Sequence, residues 1–197
     1  MTLAVIDSGG ANLGSVVQAL HRIGAEATLT SDAATIRRAS KVILPGVGAA
    51  AWAMNALREA GLVDVIRSLE QPVLGICLGL QLLFEGSDEG NADGLGLIPG
   101  RVRRLVGGPG LRLPHMGWNQ LAWQRDDPLA AGIDPDAWYY FVHSYCAPAD
   151  SPACVARGHH GDDFAAVVRH RNFAACQFHP EKSAGPGHRL LMNFLES

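Results

Sequence analysis

A cysteine stands between two glycines in Gly75-Ile76-Cys77-Leu78-Gly79, at the end of the apolar run Pro72-Val73-Leu74. This is the sulfur counterpart of the Gly-x-Ser-x-Gly elbow, in which the nucleophile occupies a strained strand-to-helix turn and the flanking glycines let the backbone bend sharply. Leu78, Leu80, Leu82, Leu83 and Phe84 are expected to continue as an apolar helix, leaving the thiol exposed above a sheet and near a positive helix N-terminus, which favours thiolate. A cysteine nucleophile needs a base that returns a proton to the leaving group, and that base needs an orienting partner. Among eight histidines, His179 in Phe178-His179-Pro180-Glu181 is the best placed. Pro180 restricts His179 to extended geometry, in which residues two apart face the same way, so Glu181 is expected beside the ring. Oxyanion donors are expected from the backbone N–H of Leu78 and from the glycine loop Gly46-Val47-Gly48, whose N–H can turn inward after a peptide flip.

The elements that must position these groups are written in the hydrophobic pattern. Leu3 to Asp7, Ala27 to Leu29, Lys41 to Leu44 and Val73 to Ile76 read as buried strands. Helices are predicted between them over about 13–23, 32–38, 49–60 and 62–69, with Val16, Val17, Leu20 and Ile23 on one face of the first. Such alternation predicts a mostly parallel sheet with helices on both faces. From Gly86 to Gly117 glycine and proline become frequent, and short strands are expected around 101–106, 118–123, 139–145, 153–157, 165–169 and 173–178 before a closing helix at 190–195. His159-His160-Gly161-Asp162-Asp163 reads as an exposed hairpin turn, and Trp118, Trp123 and Trp138 as candidate core.

Composition bounds the remaining possibilities. The 197 residues, 48% hydrophobic and 18% charged, suit one α/β domain over 1–197. The formal charge of -3, with no window rich in Lys and Arg, advertises neither nucleic-acid nor anionic-membrane binding. The start lacks a basic n-region and no stretch approaches the roughly 20 apolar residues of a membrane span, so a cytoplasmic protein is expected. Four scattered cysteines form no CxxC pair, and Cys146, Cys154, His159 and His160 match no standard zinc spacing. The glycines at 9–10 and 46–48 complete neither a dinucleotide fingerprint nor a phosphate loop.

Together, Pro45-Gly46-Val47-Gly48, Gly75-Ile76-Cys77-Leu78-Gly79-Leu80-Gln81 and Gln177-Phe178-His179-Pro180-Glu181 resemble the three signatures of class I, triad-type glutamine amidotransferases. Pro114-His115-Met116-Gly117-Trp118-Asn119, Tyr140-Phe141-Val142-His143-Ser144-Tyr145 and Glu181-Lys182-Ser183 resemble, within that class, the glutaminase subunits of imidazole glycerol phosphate synthase. Leu80 stands where that family commonly has Met, and Ala11 where Gly is frequent.

The resemblance implies a flavodoxin-like three-layer α/β/α sandwich and no metal or cofactor. It implies that Cys77, His179 and Glu181 hydrolyse glutamine through a glutamyl thioester, with Gly48, Gln81, His143 and Ser144 binding the substrate. It further implies ammonia delivery to a (β/α)₈ cyclase subunit in a heterodimer, with Asn12, Trp118, Tyr140 and Lys182 facing that partner. Rival readings are an amidotransferase subunit serving anthranilate, guanylate or carbamoyl phosphate synthesis, a cysteine protease or chaperone on a related elbow, and a non-catalytic scaffold. The protease reading is disfavoured by Leu78, where such proteins carry their histidine, and the scaffold reading by the intact triad.

Overall fold

In the first half of the chain, short aliphatic strands alternate with amphipathic helices, and each strand offers one set of side chains to each side of a sheet. The computed structural model describes residues 2–9, 13–108 and 110–197. In chain order the elements are β1 (Leu3–Ile6), α1 (Leu13–Arg22), β2 (Ala27–Thr30), α2 (Ala33–Arg38), β3 (Lys41–Gly46), α3 (Ala50–Glu59), α4 (Val63–Arg67), β4 (Val73–Cys77) and α5 (Leu78–Leu82). There follow β5 (Phe84–Ser87), β6 (Ala92–Asp93), β7 (Ile98–Arg104), β8 (His115–Gln120), β9 (Ala122–Trp123), β10 (Trp138–His143) and β11 (Tyr145–Pro148). The chain closes with β12 (Cys154–His159), β13 (Asp163–His170), β14 (Phe173–Cys176) and α6 (Ala184–Glu196).

Strands β2, β1, β3, β4 and β14 lie side by side, all parallel, as the alternation predicts. Beyond β14 the sheet continues through β13, β11, β7, β5 and β6, with antiparallel pairing except between β5 and β7. The period-2 alternation of β1 and β3 divides the core. Ala4, Ile6, Val42 and Leu44 pack with residues of α2 to α5 on one face, while Leu3, Val5 and Ile43 pack with α1 and α6 on the other. Each fully buried Leu or Ile contributes roughly 1.5–3 kcal/mol over its exposed state, so both helix layers are held chiefly by these strands. No helix among the described residues is long and apolar enough to cross a membrane.

Three expectations are corrected. The helix after Cys77 stops at Leu82, and Phe84, expected in it, opens β5. The carbonyls of Leu82, Leu83 and Phe84 accept from the N–H groups of Leu95, Leu97 and Gly96, so a distant segment takes the bonds a longer helix would use. The single strand expected over 139–145 is two. β10 pairs with β8 in a separate two-stranded sheet while β11 joins the main sheet, and Ser144 lies at the break. Finally, Trp118 and Trp138 are half exposed rather than core, whereas Trp123 packs against the core.

Candidate active site

Three adjacent parallel strands deliver the candidate residues to one edge. β3 pairs with β4 so that Gly46 lies beside Cys77, and β14 pairs with β4 so that Cys176 lies beside Ile76. His179 therefore leaves the sheet next to the strand that ends in Cys77. Cys77 carries φ 54° and ψ -107°, a conformation L residues rarely adopt, and such outliers cost about 1–3 kcal/mol. The elbow glycines serve close approach rather than an unusual φ. A Cβ on Gly79 would meet the Leu44 carbonyl oxygen at 1.9 Å, and one on Gly75 would meet the Ala175 Cβ at 2.9 Å. Contrary to expectation the thiol is not exposed: Cys77 is 6% accessible. With α5 only five residues long, the charge environment of the sulfur depends mainly on neighbouring side chains.

One such neighbour is His179, whose side chain interacts with Cys77. Its Nδ1 is 2.8 Å from Glu181 Oε1, and both side chains are almost wholly buried. The contact is made by a different geometry from the one expected, because Pro180–Lys182 forms a 3₁₀ turn rather than a continued strand. With Nδ1 committed to Glu181, the interaction with Cys77 falls to Nε2, which has no other hydrogen-bond partner. Burial pushes the imidazole pKa down, but the hydrogen bonds and negative charge offered by Cys77 and Glu181 outweigh it and raise the value to about 10. The ring is thus held as imidazolium at neutral pH. The turn is clamped to β10: the His179 N–H donates to the Tyr140 carbonyl, the Tyr140 N–H to Ser183 Oγ, and Ser183 Oγ to the His179 carbonyl.

A cavity of about 320 Å³ opens over Cys77 and His179. Val47, Gly48, Leu78, Gln81, His143 and Ser144 line it, while Gly46 lies behind, against Leu78. Gln81 spends its two amide hydrogens on the Tyr145 carbonyl and Gln177 Oε1, leaving its own Oε1 to accept from a ligand. His143 differs from the sequence expectation. Its Nδ1 bonds the Tyr145 carbonyl and its Nε2 bonds His115, so it walls the cavity without a free ring nitrogen for glutamine.

Two residues not singled out from the sequence are brought here. Glu89, the one acidic residue in the described lining, caps the Ala50 N–H at the start of α3 through Oε2. Gln177 is fully buried with its Nε2 3.7 Å from Cys77 Sγ. Its place two residues before His179, in the same block, was the available signal.

Of the expected partner-facing residues, Asn12 lies outside the described residues. The other three gather on one face: Trp118 pairs across β8 and β10 with Tyr140, and the Lys182 ammonium lies 6.0 Å from the centre of the Tyr140 ring.

Comparison with known proteins places the chain in a family. Residues 4–197 match the family model of class-I glutamine amidotransferases. The chain is 54% identical over 194 residues to the imidazole glycerol phosphate synthase subunit HisH of Xanthomonas axonopodis pv. citri, covering 98% of this chain and 96% of that protein. It is 52% identical, with the same coverage, to the subunit of that name from Xylella fastidiosa. Among solved structures, a glutamine amidotransferase superposes with TM-score 0.77 at 23% identity over 100% of this chain and 98% of that one. PurLQS from Thermotoga maritima superposes with TM-score 0.73 at 19% identity, over 99% and 97%. At these identities the structural likeness speaks for the fold.

Proposed function

The chain belongs to the class-I glutamine amidotransferase family, and from that premise we propose how its residues act as the glutaminase subunit of an imidazole glycerol phosphate synthase. The observation that carries the reading is the strand register that sets Gly46, Cys77 and His179 on neighbouring strand ends, with Glu181 bonded to His179. Cys77 Sγ attacks the side-chain carboxamide carbon of glutamine. The oxyanion is received by the N–H of Leu78, a first-turn group without an intrahelical partner, and by that of Val47. As the C–N bond breaks, His179 gives its Nε2 proton to departing ammonia. The ring, now neutral and still held at Nδ1 by Glu181, takes a proton from water, which hydrolyses the thioester and releases glutamate and the Cys77 thiolate.

Glu89 supplies the negative charge that an α-ammonium group requires, and Gly48, Ser144 and Gln81 Oε1 complete the binding site. Ammonia passes to a cyclase subunit of the (β/α)₈ type in a heterodimer, for synthesis of imidazole glycerol phosphate and aminoimidazole carboxamide ribotide in histidine biosynthesis. Trp118, Tyr140 and Lys182 form the partner face, and the clamp from Tyr140 to the His179 turn ties that face to the general base. We read 1–197 as one domain of a cytoplasmic enzyme.

Replacing Cys77 by Ala is expected to reduce glutamate release at least about 10³-fold. It should leave ammonia-dependent synthesis by the assembled complex intact. Glutamine use surviving the substitution would remove Cys77 from the mechanism. Glutamate release by the chain alone and with a cyclase carrying its nucleotide ligand tests the partner: strong stimulation is expected, and its absence would point to another synthase.

A further inference from the structure

The Tyr145 carbonyl can only accept hydrogen bonds, and it sets the direction of a chain that ends on the nucleophile. Gln81 Nε2 donates to that oxygen at 2.8 Å, which orients the Gln81 amide. The same nitrogen lies 3.1 Å from the Gln177 amide, so the atom facing it must be Oε1, and Gln177 Nε2 is left facing Cys77 Sγ at 3.7 Å. Flipping the Gln177 amide would set NH₂ against NH₂ and oxygen against sulfur.

The chain runs equally in the other direction. His143 Nδ1–H donates to the Tyr145 carbonyl at 2.9 Å, so its Nε2 accepts from His115 Nδ1–H at 3.0 Å. His115 Nε2 in turn faces the Asn119 amide nitrogen at 3.3 Å. With these directions no two donors and no two acceptors face each other, and both rings are held as single neutral tautomers. Gln81, His115, His143 and Gln177 are all buried.

We propose that Gln177 is a further catalytic residue, whose amide N–H holds the Cys77 sulfur as thiolate, and that Gln81 is a positioning residue that keeps this amide pointed at it. The proposal rests on the reading of Cys77 as nucleophile. Of the other titratable groups around the sulfur, His179 is cationic, Cys176 is a buried thiol pushed well above its usual range, His143 is neutral, and Glu89 lines the cavity. Gln177 thus adds a neutral donor that stays in place when His179 surrenders its proton.

The test is the pH dependence of Cys77 alkylation by iodoacetamide in the full chain, followed by mass spectrometry of the Cys77 peptide alongside steady-state glutaminase kinetics. Gln177→Met is expected to move the alkylation midpoint up by about one pH unit, equivalent to an about tenfold lower thiolate-to-thiol ratio at a given pH. It should lower kcat/KM about tenfold through kcat, with KM little changed. Gln81→Met keeps the length of the side chain but can donate to neither the Tyr145 carbonyl nor Gln177 Oε1. It should slow alkylation about threefold, and in combination with Gln177→Met it should add nothing further.

An unchanged alkylation profile in a folded Gln177→Met protein overturns the proposal. Should that variant not fold, an unchanged profile in Gln81→Met does so. If the parent protein makes glutamate while the profile ignores Gln177, the amidotransferase reading stands and this role falls. A shifted profile in a protein that makes no glutamate with any partner upholds the role of Gln177 and removes the amidotransferase reading instead.

Discussion

Two buried histidine sites meet the cavity above Cys77, and burial acts on both in the same sense, yet they end in opposite charge states. At His179 desolvation is opposed by hydrogen bonds to two acceptors that carry or can carry negative charge, Cys77 and Glu181, and the pKa rises to about 10. At His143 burial is opposed only by the hydrogen bond to the Tyr145 carbonyl, His179 adds positive charge nearby, and the pKa falls to about 3. His115, desolvated and facing His160, falls to about 4. Burial alone therefore does not decide the protonation state of a histidine here, because charged partners can outweigh it. A carboxylate and a thiol against the ring decide for imidazolium, whereas a single backbone carbonyl does not offset burial and the ring stays neutral. The first suits proton transfer, and the second suits a fixed scaffold of donors and acceptors.

The sharpest way to break this contrast is to remove the charged site. His179→Asn is expected to lower kcat about 10²–10⁴-fold, the usual contribution of general acid–base catalysis, in a steady-state assay of glutamate release. Glu181→Gln should cost less, about 10–100-fold, because the imidazole remains. It removes one of the contacts that raise the His179 pKa while burial persists, so the basic limb of the kcat/KM profile should move to lower pH. A basic limb that stays in place would separate Glu181 from the charge of His179.

The neutral site is tested through stability. A histidine with a raised folded pKa stabilises the fold below its unfolded value of about 6.5 and loses that contribution as pH rises toward about 10. Those with lowered values contribute fully above about 6.5 and lose the contribution as pH falls toward about 4 and about 3. Below pH 6.5 His179 is protonated in both states, so acid destabilisation there should come from His143 and His115, by up to about 1.4 kcal/mol per pH unit each. Urea unfolding between pH 6.5 and 4.5 would measure it, and His115→Phe should remove about half of that slope. A slope unaffected by the substitution would mean that carboxylates elsewhere dominate.

The parallel half of the fold and the catalytic candidates are legible in the sequence for one reason. In a parallel sheet the functional groups follow the C-terminal ends of strands, so Gly46, Cys77 and His179 each follow an apolar run that announces itself. The other half is less legible. The change of sheet at Ser144, the short α5 and the exposure of Trp118 and Trp138 depend on which distant backbone groups compete for hydrogen bonds and faces.

The sequence by itself determined the nucleophile motif, the pairing of His179 with Glu181, the alternating strands and helices, and the family to which they belong. These are local patterns, readable within a few residues. Only the tertiary structure decided that the thiol is buried, that Glu89 enters the cavity, and that Gln177 faces the sulfur. The same holds for the two opposite protonation states of the histidines around it. The links from His115 to His143, from Gln81 to Tyr145 and to Gln177, and from Gln177 to Cys77 span 28, 64, 96 and 100 residues. At such separations no periodicity or spacing encodes a contact, because it exists only once packing has brought the strands together.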